Sequence, residues 1–284
     1  MSTRAGSRKR DEAVVKIASY VLCTVLSAAM IVPLLWLLRS SVMSLSQIFV
    51  FPPQWIPDPL QLENYPDAFT TIPFARYFVN TLVILIPSVI GMVVSSALAA
   101  FAFARLRWTG RNVVFAVLMT TLMLPYAVTL IPTFLVWAKL GLINTYWPLI
   151  LPHWLGNQVI YIFLLRQFFA GIPRELDEAA ILDGANPMQI LWHVIVPLSR
   201  PALITVALFG TMFVWNDYLG PLIYLNDSDK FTLALGLTQF TGLYTSQWHL
   251  LMAASTMIVA PVIVLFFFAQ RYFIEGIALT GLKG

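Results

Sequence analysis

The 284-residue chain contains very little cysteine, histidine and charge. Its single cysteine, Cys23, excludes a disulfide within the chain and a metal site built from several thiolates. The three histidines, His153, His193 and His249, are too scattered to predict a metal site. Charged residues make up 11% of the chain, against about 25% in soluble domains, and hydrophobic residues make up 59%. Such a chain cannot cover its apolar surface in water, so we expect an integral membrane protein.

Motifs that carry catalysis are also missing. The sequence has no nucleotide-binding P-loop, no G-x-S-x-G serine motif and no H-E-x-x-H zinc motif. We therefore expect neither an enzyme nor a cofactor bound by this chain.

The apolar runs contain almost no ionisable residues, whereas carriers driven by an ion gradient usually place such residues within their spans. If the chain takes part in active transport, we expect the energy to enter through a partner.

Six long apolar runs predict an all-α, polytopic membrane protein with six transmembrane helices in one domain, residues 17–270. The runs cover residues 17–38, 77–104, 113–136, 146–165, 201–219 and 250–269. Each has about the length that crosses a bilayer. Pro125 and Pro132 predict kinks in the third run. A secretory signal cleaved at 27–29 is the alternative for the first run, whose apolar part is longer than the roughly 7–15 residues of a signal.

The distribution of the 17 lysines and arginines predicts the orientation of the chain. With the N-terminus inside, the outer segments hold only Arg39, Arg76, Lys139 and Lys230. Basic residues concentrate on the cytoplasmic side of membrane proteins. A disordered basic tail (1–16) and a short C-terminal tail (271–284) are therefore both predicted to be cytoplasmic. The same flanking pattern explains the formal charge of +4 without nucleic-acid binding.

The loop at residues 170–200, between the fourth and fifth runs, predicts a cytoplasmic helix-turn-helix. Pro173 suits a first helical position, and acidic residues follow it at the positive end of the helix dipole. Gly184 can take the left-handed conformation that ends a helix. Asn186-Pro187 then has the form of an N-cap and first turn, and apolar residues recur at helical period as far as Leu198. Periodicity alone leaves open whether this is a docking element or an ordinary surface loop.

The same loop carries a family resemblance. Glu178-Ala179-Ala180 is followed, at fixed distances, by Gly184 and then by Val194–Pro197. This arrangement resembles the EAA loop of bacterial ABC-importer permeases, which has the pattern E-A-A-x3-G-x9-I-x-L-P, with two conservative valine replacements here. Three further segments are similar to the carbohydrate-uptake branch and, within it, to the maltose-type second permease: Glu63-Asn64-Tyr65, Trp215-Asn216-Asp217-Tyr218-Leu219 and the ending Gly276…Gly281-Leu282-Lys283-Gly284.

The resemblance implies that this loop docks on a nucleotide-binding subunit. Glu178 would make a polar contact there, the two alanines would permit close helix approach, and Gly184 would form the turn. The residues expected to couple the chain to an ATPase are Glu178, Ala179, Ala180, Asp183, Gly184 and Pro197.

The resemblance also implies partners and a location. The expected partners are a homologous second permease subunit, two ATPase subunits that bind ATP and Mg, an extracytoplasmic solute-binding protein and the lipid bilayer of the bacterial plasma (inner) membrane. The outer loop 220–247 would reach into the binding protein, and residues 276–284 would contact the ATPase pair. Both placements rest on position along the chain more than on residue identity.

Polar residues within the fourth run and near the far end of the fifth are candidates for lining a solute pathway: Asn157, Gln158, Asn216 and Asp217. For the first pair, hydrogen bonding between helices is the alternative role. For the second pair, the alternative is a helix end that caps into the outer loop.

Together these patterns predict the permease subunit of an ATP-driven, binding-protein-dependent importer. It would move a sugar or sugar-like solute into the cytoplasm by alternating access. A stand-alone secondary carrier or channel is the alternative, and inverted repeats with charges inside the membrane would favour it. A membrane enzyme would need a cluster of reactive side chains. The sequence leaves disaccharides, oligosaccharides, polyols and glycerol-phosphate solutes open.

Overall fold

The computed structural model describes residues 3–242 and 246–281. Residues 1–2 of the predicted N-terminal tail, 243–245 of the predicted outer loop and 282–284 of the C-terminal tail lie outside the described residues. The regular elements in the described ranges are all helical, apart from one isolated bridge between Thr241 and Ser246. The predicted all-α class is therefore confirmed for this part of the chain.

Fifteen α-helices follow one another along the described residues. They are α1 (Thr3–Ser41), α2 (Leu45–Ile48), α3 (Asn64–Thr71), α4 (Phe74–Ala104), α5 (Arg111–Thr120), α6 (Tyr126–Lys139), α7 (Trp147–Trp154), α8 (Val159–Gly171), α9 (Glu175–Leu182), α10 (Pro187–Ile190), α11 (Val196–Leu198), α12 (Arg200–Trp215), α13 (Leu219–Tyr224), α14 (Leu233–Gly236) and α15 (Trp248–Gly281). Short 3-10 turns lie at Thr121–Met123, Ser228–Lys230 and Leu237–Phe240, and a π-helical stretch lies at Leu191–Ile195.

Four segments are long and apolar enough to cross a membrane. They are Val14–Ser41, Phe74–Ala104, Trp147–Gly171 and Trp248–Phe268. Two bent pairs also reach this size, namely Arg111–Met123 with Tyr126–Lys139, at 101°, and Pro187–Leu198 with Arg200–Trp215, at 82°. By length and composition, the described residues thus contain four to six membrane-crossing candidates.

Proline explains why the third predicted run is broken and not merely kinked. Leu124 is extended (ψ 117°), and α6 starts only after Pro125. A residue before proline avoids the helical region because the proline ring clashes with its backbone, and proline itself has no N–H to continue the ladder. Pro132, by contrast, lies within α6. The fourth run also divides, into α7 and α8, where Gly156 takes a φ of +74°.

Both predicted tails are largely helical, which corrects the expectation of a disordered tail at residues 1–16. Helix α1 begins at Thr3 and not at Ile17, and α15 continues to Gly281 although its run was predicted to end at 269. Arginine, lysine and glutamate are good helix formers. Charge at the end of an apolar run therefore marks where a bilayer would end, but it does not end the helix.

The chain divides into two compact units, one of residues 1–72 with 239–259 and one of residues 73–238 with 260–284. In the first unit, Asn64 joins the start of α3 to the end of α1. Its side-chain amide donates to the carbonyl oxygens of Ser41, at 3.0 Å, and Met43, at 2.8 Å. The hydroxyl groups of Ser41 and Tyr65 lie 2.8 Å apart. These contacts give the Glu63-Asn64-Tyr65 segment a structural role.

In the second unit α4 is the central helix, and α7, α8 and α12 pack against it. Met92 of α4 and Leu165 of α8 are fully buried in this core. Small residues let α7 approach closely, as is usual between helices in lipid. A Cβ atom on Gly91 would lie 2.5 Å from the Trp154 ring, and the Ser95 hydroxyl donates to the His153 carbonyl oxygen at 2.9 Å.

Candidate functional site

The segment between α8 and α12 starts with α9, whose far end is exposed. Glu178 and Asp183 are exposed, and Ile181 and Leu182 are 59% and 88% exposed. Ala179 is exposed as well, and with Ala180 it separates Glu178 from Ile181 and Leu182 along the chain. Glu178, Ile181 and Leu182 thus form a mixed acidic and apolar surface at the end of α9.

A Schellman turn ends α9. The Gly184 N–H donates to the Ile181 carbonyl oxygen at 2.9 Å, and the Ala185 N–H donates to the Ala180 carbonyl oxygen at 2.9 Å. Gly184 has a φ of +84°, the left-handed conformation predicted for it from the sequence. Asn186 then caps the next helix, because its side chain accepts from the Gln189 N–H at 2.9 Å and its own N–H donates to the Gln189 side chain at 2.8 Å.

Gly184→Ala is expected to destabilise the turn by about 1–2 kcal/mol, the cost of a left-handed conformation for a residue with a Cβ. A Cβ atom at Gly184 would meet no atom within 4 Å, so the backbone alone sets this cost. Gly171 is the matched control, because its surroundings are equally open and its φ is not positive. Thermal unfolding of the purified chain in detergent measures both variants. Equal melting temperatures for the two variants would contradict the assigned turn.

The second helix of the segment is amphipathic but irregular. Ile190, Leu191 and Ile195 are buried, whereas Trp192 is 45% exposed. The sequence predicted one regular helix, but Leu191–Ile195 is π-helical and the Val196 N–H donates to the Leu191 carbonyl oxygen. Pro197 accounts for this difference, because its ring would clash with the carbonyl group four residues earlier in a regular α-helix.

Arg105 fastens this segment to the end of α4. Its guanidinium lies 3.3 Å from an Asp177 carboxylate oxygen and donates to the Ile172 carbonyl oxygen at 2.8 Å. The Arg105 side chain is 3% exposed and that of Asp177 is 17% exposed. Burial lowers the pKa of Arg105, while Asp177 raises it and Arg174 lowers it. Because the ordinary pKa of arginine is so high, Arg105 stays charged at physiological pH.

Sequence reasoning used Arg105 only as a marker of orientation and did not predict this ion pair. The two partners are far apart in the sequence, and neither spacing nor periodicity connects them. A basic residue directly after a long apolar run and an acidic residue in the EAA-like loop were the available signals. Only the packing of α4 against α8 brings the two together.

The four candidate pathway residues make local contacts. Asn157 contacts His153, with 3.1 Å between its Oδ1 and the ring Nδ1. The Asn216 side chain donates to the Met212 carbonyl oxygen at 2.7 Å, and Asp217 accepts from the Gly220 N–H at 3.0 Å. Gln158 precedes α8 as its N-cap residue without a side-chain cap bond. Asn216 and Asp217 lie in the break between α12 and α13, so these bonds have the form of helix capping.

A small cavity of about 10 Å³ brings Asp217 and His153 near Thr81 and Thr232. This is room for about one water molecule and is far too small for a sugar. The role of these residues in lining a pathway therefore stays a prediction. Among the described residues, no group of three or more His, Cys, Asp or Glu side chains could hold a metal ion.

The other end of α4 holds part of the predicted outer loop. The Asn80 side chain donates to the carbonyl oxygens of Asp229, at 2.8 Å, and Phe231, at 3.0 Å. Arg76 forms an ion pair with the Asp229 carboxylate, and the Leu233 N–H donates to the Thr81 hydroxyl at 3.0 Å. Both ends of this helix are thus bonded to segments that are distant in the sequence.

Comparison with known proteins identifies the family of the chain. Residues 91–278 match the family described as binding-protein-dependent transport system inner membrane component. The probable ABC transporter permease protein YurM of Bacillus subtilis is 33% identical over 256 residues, covering 89% of this chain and 83% of YurM. The arabinooligosaccharides transport system permease protein AraQ of Halalkalibacterium halodurans is 35% identical over 229 residues, covering 80% of this chain and 81% of AraQ.

Solved structures share the fold. A crystal structure of a bacterial ABC transporter involved in alginate import has a chain with a TM-score of 0.81 at 24% identity, covering 93% of this chain and 98% of that one. Family membership supports a transport component over a membrane enzyme or a stand-alone carrier or channel. The chain belongs to the family of inner-membrane components of binding-protein-dependent transport systems.

Proposed function

We propose that this chain is the permease subunit of an ATP-driven importer for a sugar or sugar-like solute, and that residues 170–200 couple it to a separate ATPase. The main support is the exposed end of α9. Glu178 and Leu182 are exposed there, while Asp177 in the same helix forms an ion pair with Arg105 at the end of α4. A contact made at the exposed end would therefore reach the longest apolar helix of the second unit.

The proposed topology has six spans, with both termini in the cytoplasm. The first, second, fourth and sixth spans are the four long apolar segments within α1, α4, α7–α8 and α15. The third is the bent pair α5–α6, and the fifth is α12. With this orientation, the turn after α4 and the segment around α9 lie on the cytoplasmic side, where the basic residues concentrate.

The proposed partners follow from membership of the family of binding-protein-dependent transport components. A homologous second permease would complete the membrane part, and two ATPase subunits would bind ATP and Mg. An extracytoplasmic binding protein would deliver solute to the outer face, with the loop at 220–247 as its contact and residues 276–284 reaching the ATPase pair. One crystal structure that shares this fold is an alginate ABC transporter in complex with an alginate pentasaccharide-bound periplasmic protein, with a TM-score of 0.68.

The proposed cycle is alternating access. ATP binding closes the ATPase pair, the α9 segments of the two permeases move as rigid bodies, and the cavity between the permeases opens outward to accept solute. Hydrolysis returns it to the inward-facing state. The two states interconvert because the binding protein and ATP bind them with different affinities.

The solute class is inferred from the relatives. AraQ is named for arabinooligosaccharides, and NgcG of Streptomyces coelicolor, 31% identical over 255 residues, is named for diacetylchitobiose. The two sugars in these names are both rich in hydroxyl groups. We therefore infer a di- or oligosaccharide solute, selected chiefly by the binding protein.

Single-cysteine labelling tests the orientation on which this proposal depends. In a Cys23→Ala background, Leu182→Cys places a thiol at the end of α9, and Leu140→Cys places one after α6; the two native side chains are 88% and 60% exposed. In cells that express the chain without ATPase partners, a membrane-impermeant maleimide is expected to label Leu140→Cys when the cells are intact and Leu182→Cys only after the membrane is opened. Labelling of Leu182→Cys in intact cells would put α9 outside and overturn the coupling role.

A further inference from the structure

An open cleft of about 620 Å³ lies between the turn that follows α4 and the start of α9. Its walls carry three arginines, Arg107, Arg111 and Arg174, and no acidic residue. None of the ion pairs among the described residues involves any of the three. Three cations that share one cleft repel each other, so an anion placed among them would be stabilised.

The backbone of the cleft adds to its positive field. Gly110 and the first residues of α5 line it, and this helix begins without a side-chain cap and without an acidic residue in its first turn. The leading N–H groups of a helix have no partner within the helix and favour negative charge. Arg111 donates to the Leu106 carbonyl oxygen at 2.9 Å, which fixes its guanidinium across the turn.

An apolar surface continues from the cleft along α5. Val113 at the cleft and Val117 one turn further are 68% and 59% exposed. Trp108, half-exposed at the cleft, packs on Phe103 with 5.7 Å between the ring centroids. Tryptophan is favoured at the depth of lipid headgroups. A free phosphate or an acidic protein surface would use the arginines but not this apolar surface.

We propose that the cleft binds the headgroup of an anionic phospholipid, with its acyl chains lying along α5. The phosphate sits among Arg107, Arg111 and Arg174, and so connects the α4–α5 turn to the residue that precedes α9. This inference rests on the proposed cytoplasmic placement of the turn, where the inner leaflet presents anionic lipid. Each arginine near a membrane surface contributes about a five-fold gain in affinity, so the three together contribute about 100-fold.

Native mass spectrometry of the full chain, with phosphatidylglycerol or phosphatidylcholine added to the micelles, tests the proposal. The wild-type chain is expected to retain phosphatidylglycerol in preference to phosphatidylcholine. The triple variant Arg107→Gln, Arg111→Gln, Arg174→Gln is expected to bind phosphatidylglycerol about 100-fold more weakly. Arg200→Gln, which removes an exposed arginine elsewhere in the predicted cytoplasmic region, is the control and should bind as the wild type does. A triple Arg→Lys variant that still binds shows that charge is what the site requires.

Three results would overturn the proposal. Equal retention of phosphatidylglycerol by the wild-type chain and the glutamine variant would exclude this cleft. Complete displacement of the lipid by millimolar inorganic phosphate would assign the site to a free anion. If the glutamine variant retains the lipid but no longer co-purifies with the ATPase, the cleft is a protein contact. Lipid retention is measured without the ATPase, so a negative result leaves the coupling role of α9 untouched.

Discussion

Arg105→Ala is expected to lower the stability of the chain by about 3–5 kcal/mol and to abolish solute uptake. The substitution leaves the largely buried Asp177 carboxylate without its partner, and an unpaired buried charge is among the most destabilising changes known. It also frees the Ile172 carbonyl oxygen at the end of α8. Thermal unfolding in detergent, the amount of chain in the membrane and uptake of labelled solute measure the effect.

A double variant separates stability from coupling. Arg105→Met with Asp177→Leu removes both charges, and replacing a buried pair by apolar residues is often neutral for stability. We expect the double variant to regain most of the melting temperature while uptake stays low, because the link from α4 to α9 is gone. For the melting temperature, Arg200→Ala is the control for loss of an exposed arginine. An unchanged melting temperature in Arg105→Ala would contradict the ion pair itself.

Glu178→Lys is expected to reduce uptake at least tenfold without lowering the stability of the chain. Glu178 is exposed, and among the described residues it takes part in none of the ion pairs, so the chain itself does not need its charge. In a partner interface, reversing a charge costs more than truncating it, and truncation of a buried, hydrogen-bonded charge costs about 2–5 kcal/mol. ATPase co-purification and uptake measure the loss.

Glu175→Lys is the matched control for this variant. It makes the same charge change in the same helix, closer to the N-terminus, where the unfavourable interaction with the helix dipole is at least as large. If both variants lose uptake equally, the loss comes from the changed charge of α9 in general, and the specific role assigned to Glu178 is contradicted. Glu178→Gln, which keeps the shape, should fall between wild type and the lysine variant.

The parts of the site that were predicted correctly from sequence depend on short-range chemistry. The left-handed conformation of Gly184, the cap formed by Asn186 and the acidic first turn of α9 each follow from residues within a few positions. Such local preferences act in any context. The irregular π stretch before Pro197 was missed, although the clash of proline with the preceding turn could have predicted a defect there.

The parts that were missed depend on packing between distant residues or on where helices end. The Arg105–Asp177 pair and the Asn80 contacts join segments that no sequence pattern connects. The 101° bend at Pro125 exceeds the predicted kink because the helix ends at the extended Leu124 and a new helix begins after the proline. The early start of α1 was missed because a change from apolar to charged residues was taken as a helix end.

Helix α4 is bonded at both ends to segments that are distant in the sequence, and this affects how motion could pass along it. This unbroken helix of 31 residues is roughly 46 Å long, and it is fixed near one end to the 229–233 segment and at the other to α9. The helix continues through Pro87 without a break, so a displacement of its Arg105 end would be carried along the helix toward the 229–233 segment. Under the proposed topology and partners, the surface that contacts the binding protein would then move together with the nucleotide state of the ATPase.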